Sequence, residues 1–203
     1  MNLISFSLFG SNESYYRGAL ANLRLAPDIY PGWQPVIWLE GSKAGWKDIL
    51  ENHGAAVMLM PESRGLEGVF WRLLAPYLQG AERILFRDTD SRLNPREAAA
   101  VAAWLASDKD FHVMRDHPCH QLNHPILAGM WAAKASALDH INAAIESWPR
   151  RTDYGDDQDL LHSAVWPLLT TENSLQHNGT SGPWLGEQFS PHKYWSGHVG
   201  QKE

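Results

Sequence analysis

Arg83-Ile84-Leu85-Phe86-Arg87-Asp88-Thr89-Asp90 is the stretch on which the reading of this chain turns. The apolar run Ile84-Leu85-Phe86 reads as part of a buried strand, 83–86, that leads straight into two carboxylates one residue apart. Open α/β sheets bind ligands in the crevice beyond the carboxyl ends of their strands, so Asp88 and Asp90 are expected to point into such a crevice. Two hard oxygen donors suit Mg²⁺ or Mn²⁺ and leave coordination positions for diphosphate oxygens and water. An Asp-x-Asp triplet alone is common in solvated loops. Its place after a strand and before Ser91-Arg92-Leu93 favours the metal site.

The flanking sequence alternates. Upstream, residues 3–9 read as a first strand closed by Gly10-Ser11-Asn12, with Phe9 at its end a candidate ligand contact. A helix over 15–25 is ended by Pro27 and Pro31-Gly32, followed by a strand at 36–39, a short helix at 46–53 and a strand at 56–60 stopped by Pro61. An amphipathic helix over 69–78 then precedes the 83–86 strand. Downstream come an alanine-rich helix over 95–107 with Pro95 in its first turn, a strand at 111–114, a His-rich loop at 115–124 and an apolar run at 126–133. Helices are expected at 136–148 and 157–165, and the stretch beyond Thr170 is rich in Gly, Pro, Trp and His, with no internal repeat. This order predicts an α/β fold whose mostly parallel central sheet is flanked by helices.

Composition narrows the function. A chain of 203 residues with 44% hydrophobic and 20% charged residues can bury one sizeable core. The net charge of -6 gives no footprint for a polyanion, which argues against nucleic acid as a partner. The ten tryptophans either stack on sugars or bases or fill the core. Cys119 is the single cysteine, which excludes an internal disulfide and a cysteine metal cluster and fits a reducing compartment. No basic-then-apolar leader opens the sequence and no run is long enough for a transmembrane helix, so a cytoplasmic location is expected, compatible with peripheral work on a lipid-linked acceptor.

The segment Phe70-Trp71-Arg72-Leu73-Leu74-Ala75-Pro76-Tyr77-Leu78, followed by Arg83 to Asp90, resembles the central part of glycosyltransferase family 8, which includes glycogenin and bacterial lipopolysaccharide galactosyltransferases. Asp157-Gln158-Asp159-Leu160-Leu161 is similar to that family's Asp-Gln-Asp helix start, and His177 with Gly179, Pro183 and Trp184 is similar to its terminal His-x-Gly and Pro-Trp signature. The chain departs from the family at Gly182, where a lysine usually meets the diphosphate, and at Leu127-Ala128-Gly129, where the family has Asn-Ala-Gly. The resemblance implies a single Rossmann-like GT-A domain over 1–203, with a nucleotide-binding half at 1–90 and a sugar and acceptor half with the C-terminal tail at 91–203.

The same resemblance implies roles for residues. Asp88, Asp90 and His177 would hold Mn²⁺ or Mg²⁺, imidazole being an acceptable borderline ligand. Asp157 would hold sugar hydroxyls and Gln158 would lie beneath the anomeric carbon, although acids at 157 and 159 also suit a helix N-terminus. Arg72 either braces the carboxylates or meets the donor. Arg115, Asp116 and His117 leave a strand end together as further donor or acceptor contacts, with Asp116 or Asp157 the base if the reaction inverts configuration. Gly129, Asp159 and Trp184 complete the expected substrate contacts. The histidines at 117, 120 and 124 match no defined zinc spacing. The function expected is metal-dependent transfer of a sugar from a nucleotide sugar, a UDP-sugar first of all, to a carbohydrate or lipid-linked acceptor in bacterial polysaccharide or glycolipid assembly. The alternative is a metal-dependent phosphoester hydrolase, in which the first Asp is a nucleophile and Lys134 would have to supply the downstream cation.

Overall fold

The computed structural model describes residues 1–116, 120, 124–149, 154–179, 186–189 and 197–202. The alternating pattern folds as β1 (Asn2–Leu8), α1 (Glu13–Ile29), β2 (Gln34–Glu40), α2 (Lys47–Asn52), β3 (Ala56–Met60), β4 (Arg83–Arg87), α3 (Pro95–Leu105), β5 (Phe111–Arg115), β6 (Met130–Lys134), α4 (Ile141–Ser147), α5 (Asp156–Ala164), β7 (Ser174–Asn178) and β8 (Glu187–Gln188). The strands form one sheet in the order β3-β2-β1-β4-β6-β5-β7-β8. Among them β6 alone runs antiparallel, between β4 and β5, and every other pairing is parallel. The expected mostly parallel sheet is therefore present, with helices on both faces.

Period-two alternation sorts side chains to the two faces. Ile4, Phe6, Leu8 and Leu85 join Leu23 of α1 and Trp104 of α3 in one buried cluster. Leu3, Ile84 and Phe86 join Trp71 and Leu160 in the other. Both faces of β4 are thus covered, which is why its sequence reads as a continuous apolar run.

Three elements differ from the sequence expectation. Helix α1 continues through Pro27 to Ile29, because that proline lies in the last turn and Ala26 and Tyr30 are buried against the sheet. Residues Glu67–Tyr77 form a 3₁₀ run rather than an α-helix, and Pro76 near its end denies an α-helical hydrogen bond. The polar segment Ser174–Asn178, in the stretch beyond Thr170 where no strand was expected, is strand β7, paired with β5 in register.

Candidate functional site

The 3₁₀ run is placed by two serines of β1. Ser5 Oγ donates to the Arg72 carbonyl at 2.8 Å, the Arg72 N–H donates to Ser7 Oγ at 2.9 Å, and Trp38 Nε1 donates to Ser5 Oγ at 2.9 Å. Pinned at both ends of its peptide, Arg72 sends its guanidinium under the end of β4. One of its nitrogens pairs with Asp88 and the other with Asp157 at 2.5 Å. Arg72 is buried, while the Asp88 side chain keeps 44% of its surface exposed toward a cavity. That cavity is walled by Ser7, Phe9, Tyr15, Leu66, Val69, Arg72, the Asp88-Thr89-Asp90 triplet, Tyr154, Gly155, Asp157, Gln158 and Lys202. Segments separated by most of the chain meet there.

The seat of Asp88 is a glycine. A Cβ on Gly129 would lie 2.0 Å from Asp88 Oδ2, so only glycine fits beneath that carboxylate. The turn carrying Gly129 is fixed from two sides: Arg87 donates to the Gly129 carbonyl at 2.5 Å, and Gln158 Oε1 accepts from Ala128 N–H at 3.1 Å. Arg87 is itself held by Glu97 of α3 at 2.8 Å with both side chains fully buried. Burial pushes the Glu97 carboxyl up to about 7 against the pull of Arg87. Phe9 is seated in the same way, since a Cβ on Gly68 would lie 2.4 Å from its ring, and it packs edge-on against Trp71 with ring centroids 5.8 Å apart.

Helix α5 delivers Asp157 and Gln158. Gly155 stands at its N-cap with φ 100°, a left-handed conformation that favours glycine, and the Gln158 N–H donates to Asp157 Oδ1 at 3.0 Å. Asp157 thus takes a free N–H of the helix's first turn and also faces the cavity.

One guanidinium serves two carboxylates, and the imbalance shows in their titration. Burial alone raises the Asp88 carboxyl, but Arg72, aided by Arg87 and Lys202, holds it below the ordinary aspartate value. Asp157 moves the other way: burial raises it, Arg72 pulls it down, and the Asp88 charge leaves it above the ordinary value. Asp90 adds a third carboxylate, met by Lys202 Nζ at 2.8 Å. Among the described lining residues, Asp88, Asp90 and Asp157 against Arg72 and Lys202 leave one negative charge in excess, which suits a cation. Among the described residues no third His, Cys, Asp or Glu joins Asp88 and Asp90 in ligand geometry. Two carboxylates with open positions fit Mg²⁺ or Mn²⁺ shared with a phosphate ligand.

The other expected site residues divide. His177 is not brought to the pair. It stands on β7, where its Nδ1 shares a hydrogen bond of 3.0 Å with His112 Nε2, and Glu187 lies 3.7 Å away. Strands β6 and β5 separate it from β4, about 14 Å at the usual strand spacing. Burial holds both imidazoles below the ordinary histidine value. Asp116 is clamped by Arg96 at 2.6 and 3.0 Å and accepts the Val199 N–H at 2.9 Å, away from the cavity lining. Arg115 is buried on the opposite face of β5, donating to Pro125, Asn178 and Gln176 over the Trp166 ring. Asp159 is exposed on α5 and does not line the cavity. Gly129 acts through Asp88. His117 and Trp184, with Cys119 and Pro183, lie outside the described residues. Lys134, the cation a phosphoester hydrolase would need, pairs with Asp110 at 2.9 Å and lies opposite Arg83, at the far end of β4 from Asp88. Sequence reasoning missed Ser7, Tyr15, Tyr154 and Lys202. Tyr154 directly precedes the glycine of the α5 cap, which is a readable signal, whereas Lys202 has no neighbouring motif.

Glucosyl-3-phosphoglycerate synthase from Mycobacterium tuberculosis, solved with Mn²⁺, uridine diphosphate and glucosyl-3-phosphoglycerate, is similar with a TM-score of 0.56 and 17% identity over 87% of this chain and 69% of that one. The fold is GT-A. The same synthase with Mn²⁺, UDP-glucose and glycerol 3-phosphate gives a TM-score of 0.53 at 16% identity. Residues 1–349 of S. aureus TarS give 0.54 at 15% identity, over 78% of this chain and 53% of that one. At these identities the likeness is one of fold. No protein-family profile and no curated protein matches the chain.

Proposed function

We propose that this protein is a metal-dependent glycosyltransferase that takes a sugar from a UDP-sugar to an acceptor hydroxyl. The observation that carries the reading is the meeting of Asp88 and Asp90, at the carboxyl end of β4, with Arg72 and the α5 start in the wall of one cavity. Asp88 and Asp90 would hold Mn²⁺ or Mg²⁺, which would supply charge neutralisation for a departing nucleoside diphosphate. Phe9 and Tyr15, with Leu66 and Val69, offer the aromatic and apolar wall that a uracil base needs. Asp157 and Gln158 face the sugar. Arg72 holds Asp88 and Asp157 in fixed relation, so that the metal end and the sugar end of a donor are positioned by one side chain.

That M. tuberculosis synthase was solved with Mn²⁺ and UDP-glucose on the same fold supports the choice of metal and donor class. Kinship with glycosyltransferase family 8 is proposed on the Asp-x-Asp and Asp-Gln-Asp segments, which meet in the cavity, and not on His177. Incubation with UDP-glucose and UDP-galactose in Mn²⁺ is expected to release UDP slowly without acceptor and faster with a carbohydrate or lipid-linked acceptor. Turnover of a simple phosphomonoester with no UDP release would favour the hydrolase instead.

A further inference from the structure

Among the described residues Lys202 is the one lysine in the cavity wall, and the fold builds its position. Val199 is fully buried in the core cluster beside α1 and α3, and its N–H is taken by Asp116, itself clamped by Arg96. Gly200 adopts φ 80°, and a Cβ there would lie 2.5 Å from the Met130 sulfur. The segment then closes a turn, with Gln201 N–H on the His198 carbonyl at 3.2 Å, and forms an antiparallel bridge between Lys202 and Ser91, the residue after the Asp-x-Asp triplet. The backbone of residue 202 is thereby fixed beside Asp90, while the side chain keeps 60% of its surface exposed and lines the cavity.

The ammonium and a divalent ion ask for the same carboxylate. A cation on Asp90 takes the charge that Lys202 now meets at 2.8 Å and repels the ammonium at that distance. The four-carbon stem lets Nζ reorient into the same cavity. Arg72, buried and with its terminal nitrogens paired to Asp88 and Asp157, has less freedom than Lys202 to turn onto an incoming anion. We infer that Lys202 is a diphosphate-binding residue: its ammonium yields Asp90 to the divalent ion and turns onto the phosphate oxygens of the nucleotide that arrives with it. Asp116 then acts as a positioning residue, holding the segment from which the lysine reaches. This inference rests on the reading of the cavity as a metal and nucleotide site.

Calorimetric titration of UDP and of uridine in Mn²⁺, with Mn²⁺ alone followed by paramagnetic resonance, tests it on the parent, Lys202→Met and Lys202→Arg. Loss of a charge-assisted contact to phosphate should weaken UDP binding in Lys202→Met about tenfold to a hundredfold. Uridine, which carries no phosphate, should bind both proteins alike, Lys202→Arg should stay near the parent, and Mn²⁺ alone should bind Lys202→Met at least as well as the parent because its competitor is gone. UDP affinity equal in parent and Lys202→Met overturns the assignment while the metal and nucleotide site stands. Absence of Mn²⁺-dependent UDP binding in the parent overturns that site reading and the assignment with it. Weaker Mn²⁺ binding in Lys202→Met would contradict the competition. Equal thermal midpoints for the three proteins show that none of these outcomes is a folding defect.

Discussion

Asp88 and Asp116 follow the ends of two strands separated only by β6, under nearly the same local rules. Each leaves the carboxyl end of a strand, β4 or β5, each pairs with an arginine from another element, and each sits over a glycine that leaves no room for a Cβ, 2.0 Å under Asp88 and 1.5 Å under Asp116. They differ in what remains unspent. Asp116 is buried, with one oxygen accepting from both Arg96 and Val199 and the other from Arg96. Asp88 shares its guanidinium with Asp157, stands beside Asp90 and opens on a cavity. A carboxylate at a strand end is a structural clamp where local partners consume its charge, and a candidate site where they do not.

The contrast is sharpest at the two arginines. Arg72→Met strands Asp88 and Asp157 against each other and should lower stability by about 3–5 kcal/mol, the usual cost of orphaning a buried ionic partner. Arg96→Met leaves Asp116 the Val199 N–H, and the arginine removed is itself partly exposed, so about 1–3 kcal/mol is expected. Urea denaturation of both variants checks the order, and a larger loss for Arg96→Met would reverse it. Asp157→Asn probes the sugar end. Asn can still accept from Arg72 and from the Gln158 N–H but gives up the charge opposite Arg72, so a stability loss of about 1–3 kcal/mol is expected, whereas turnover of a UDP-sugar should fall about a hundredfold or more if the charge is used in catalysis. Unchanged turnover would reduce Asp157 to a cap and a partner of Arg72.

The glycines separate the regions with a smaller effect. Gly129→Ala and Gly179→Ala each overpack a carboxylate and should cost about 1–3 kcal/mol. Only Gly129→Ala should also weaken Mn²⁺ binding. Equal Mn²⁺ losses in the two variants would deny the distinction. The smallest signal is the part of the pH dependence that comes from the far region. Burial holds His112 and His177 below the ordinary histidine value, so the unfolded chain binds more protons than the folded one below about pH 6.5. Their contribution to stability is full above that value and is lost as pH falls through it. Replacing His112 with Phe should flatten the stability profile below pH 6.5. An unaltered profile would show that the pair is not what titrates.

What the sequence made legible was local. The strands up to β5 and the helices around them announced themselves through apolar period and punctuation, and the Asp-x-Asp triplet through its place after an apolar run. Asp157 and Gln158 were legible through resemblance alone, and their meeting with Arg72 across the sheet is a product of topology. Strand β7 was missed because Ser174-Leu175-Gln176-His177-Asn178 has no apolar alternation. Its burial comes from partners far away in sequence, with His177 met by His112 and Asn178 by Arg115. That same long-range pairing is why His177, read as the third metal anchor, belongs to the packed region. Lys202 escaped for the converse reason, since only the folded path of residues 197–202 brings a lysine with no motif onto Asp90.

Mn²⁺ titration in the presence and absence of UDP, on the parent and on Asp90→Ala, addresses the central claim most directly. The account predicts that the parent binds Mn²⁺ more tightly with UDP than without it, and that Asp90→Ala loses metal-dependent UDP binding while its thermal unfolding without ligand stays within a few degrees of the parent. Equal Mn²⁺ and UDP affinities in the two proteins would contradict it and take the divalent ion away from the end of β4.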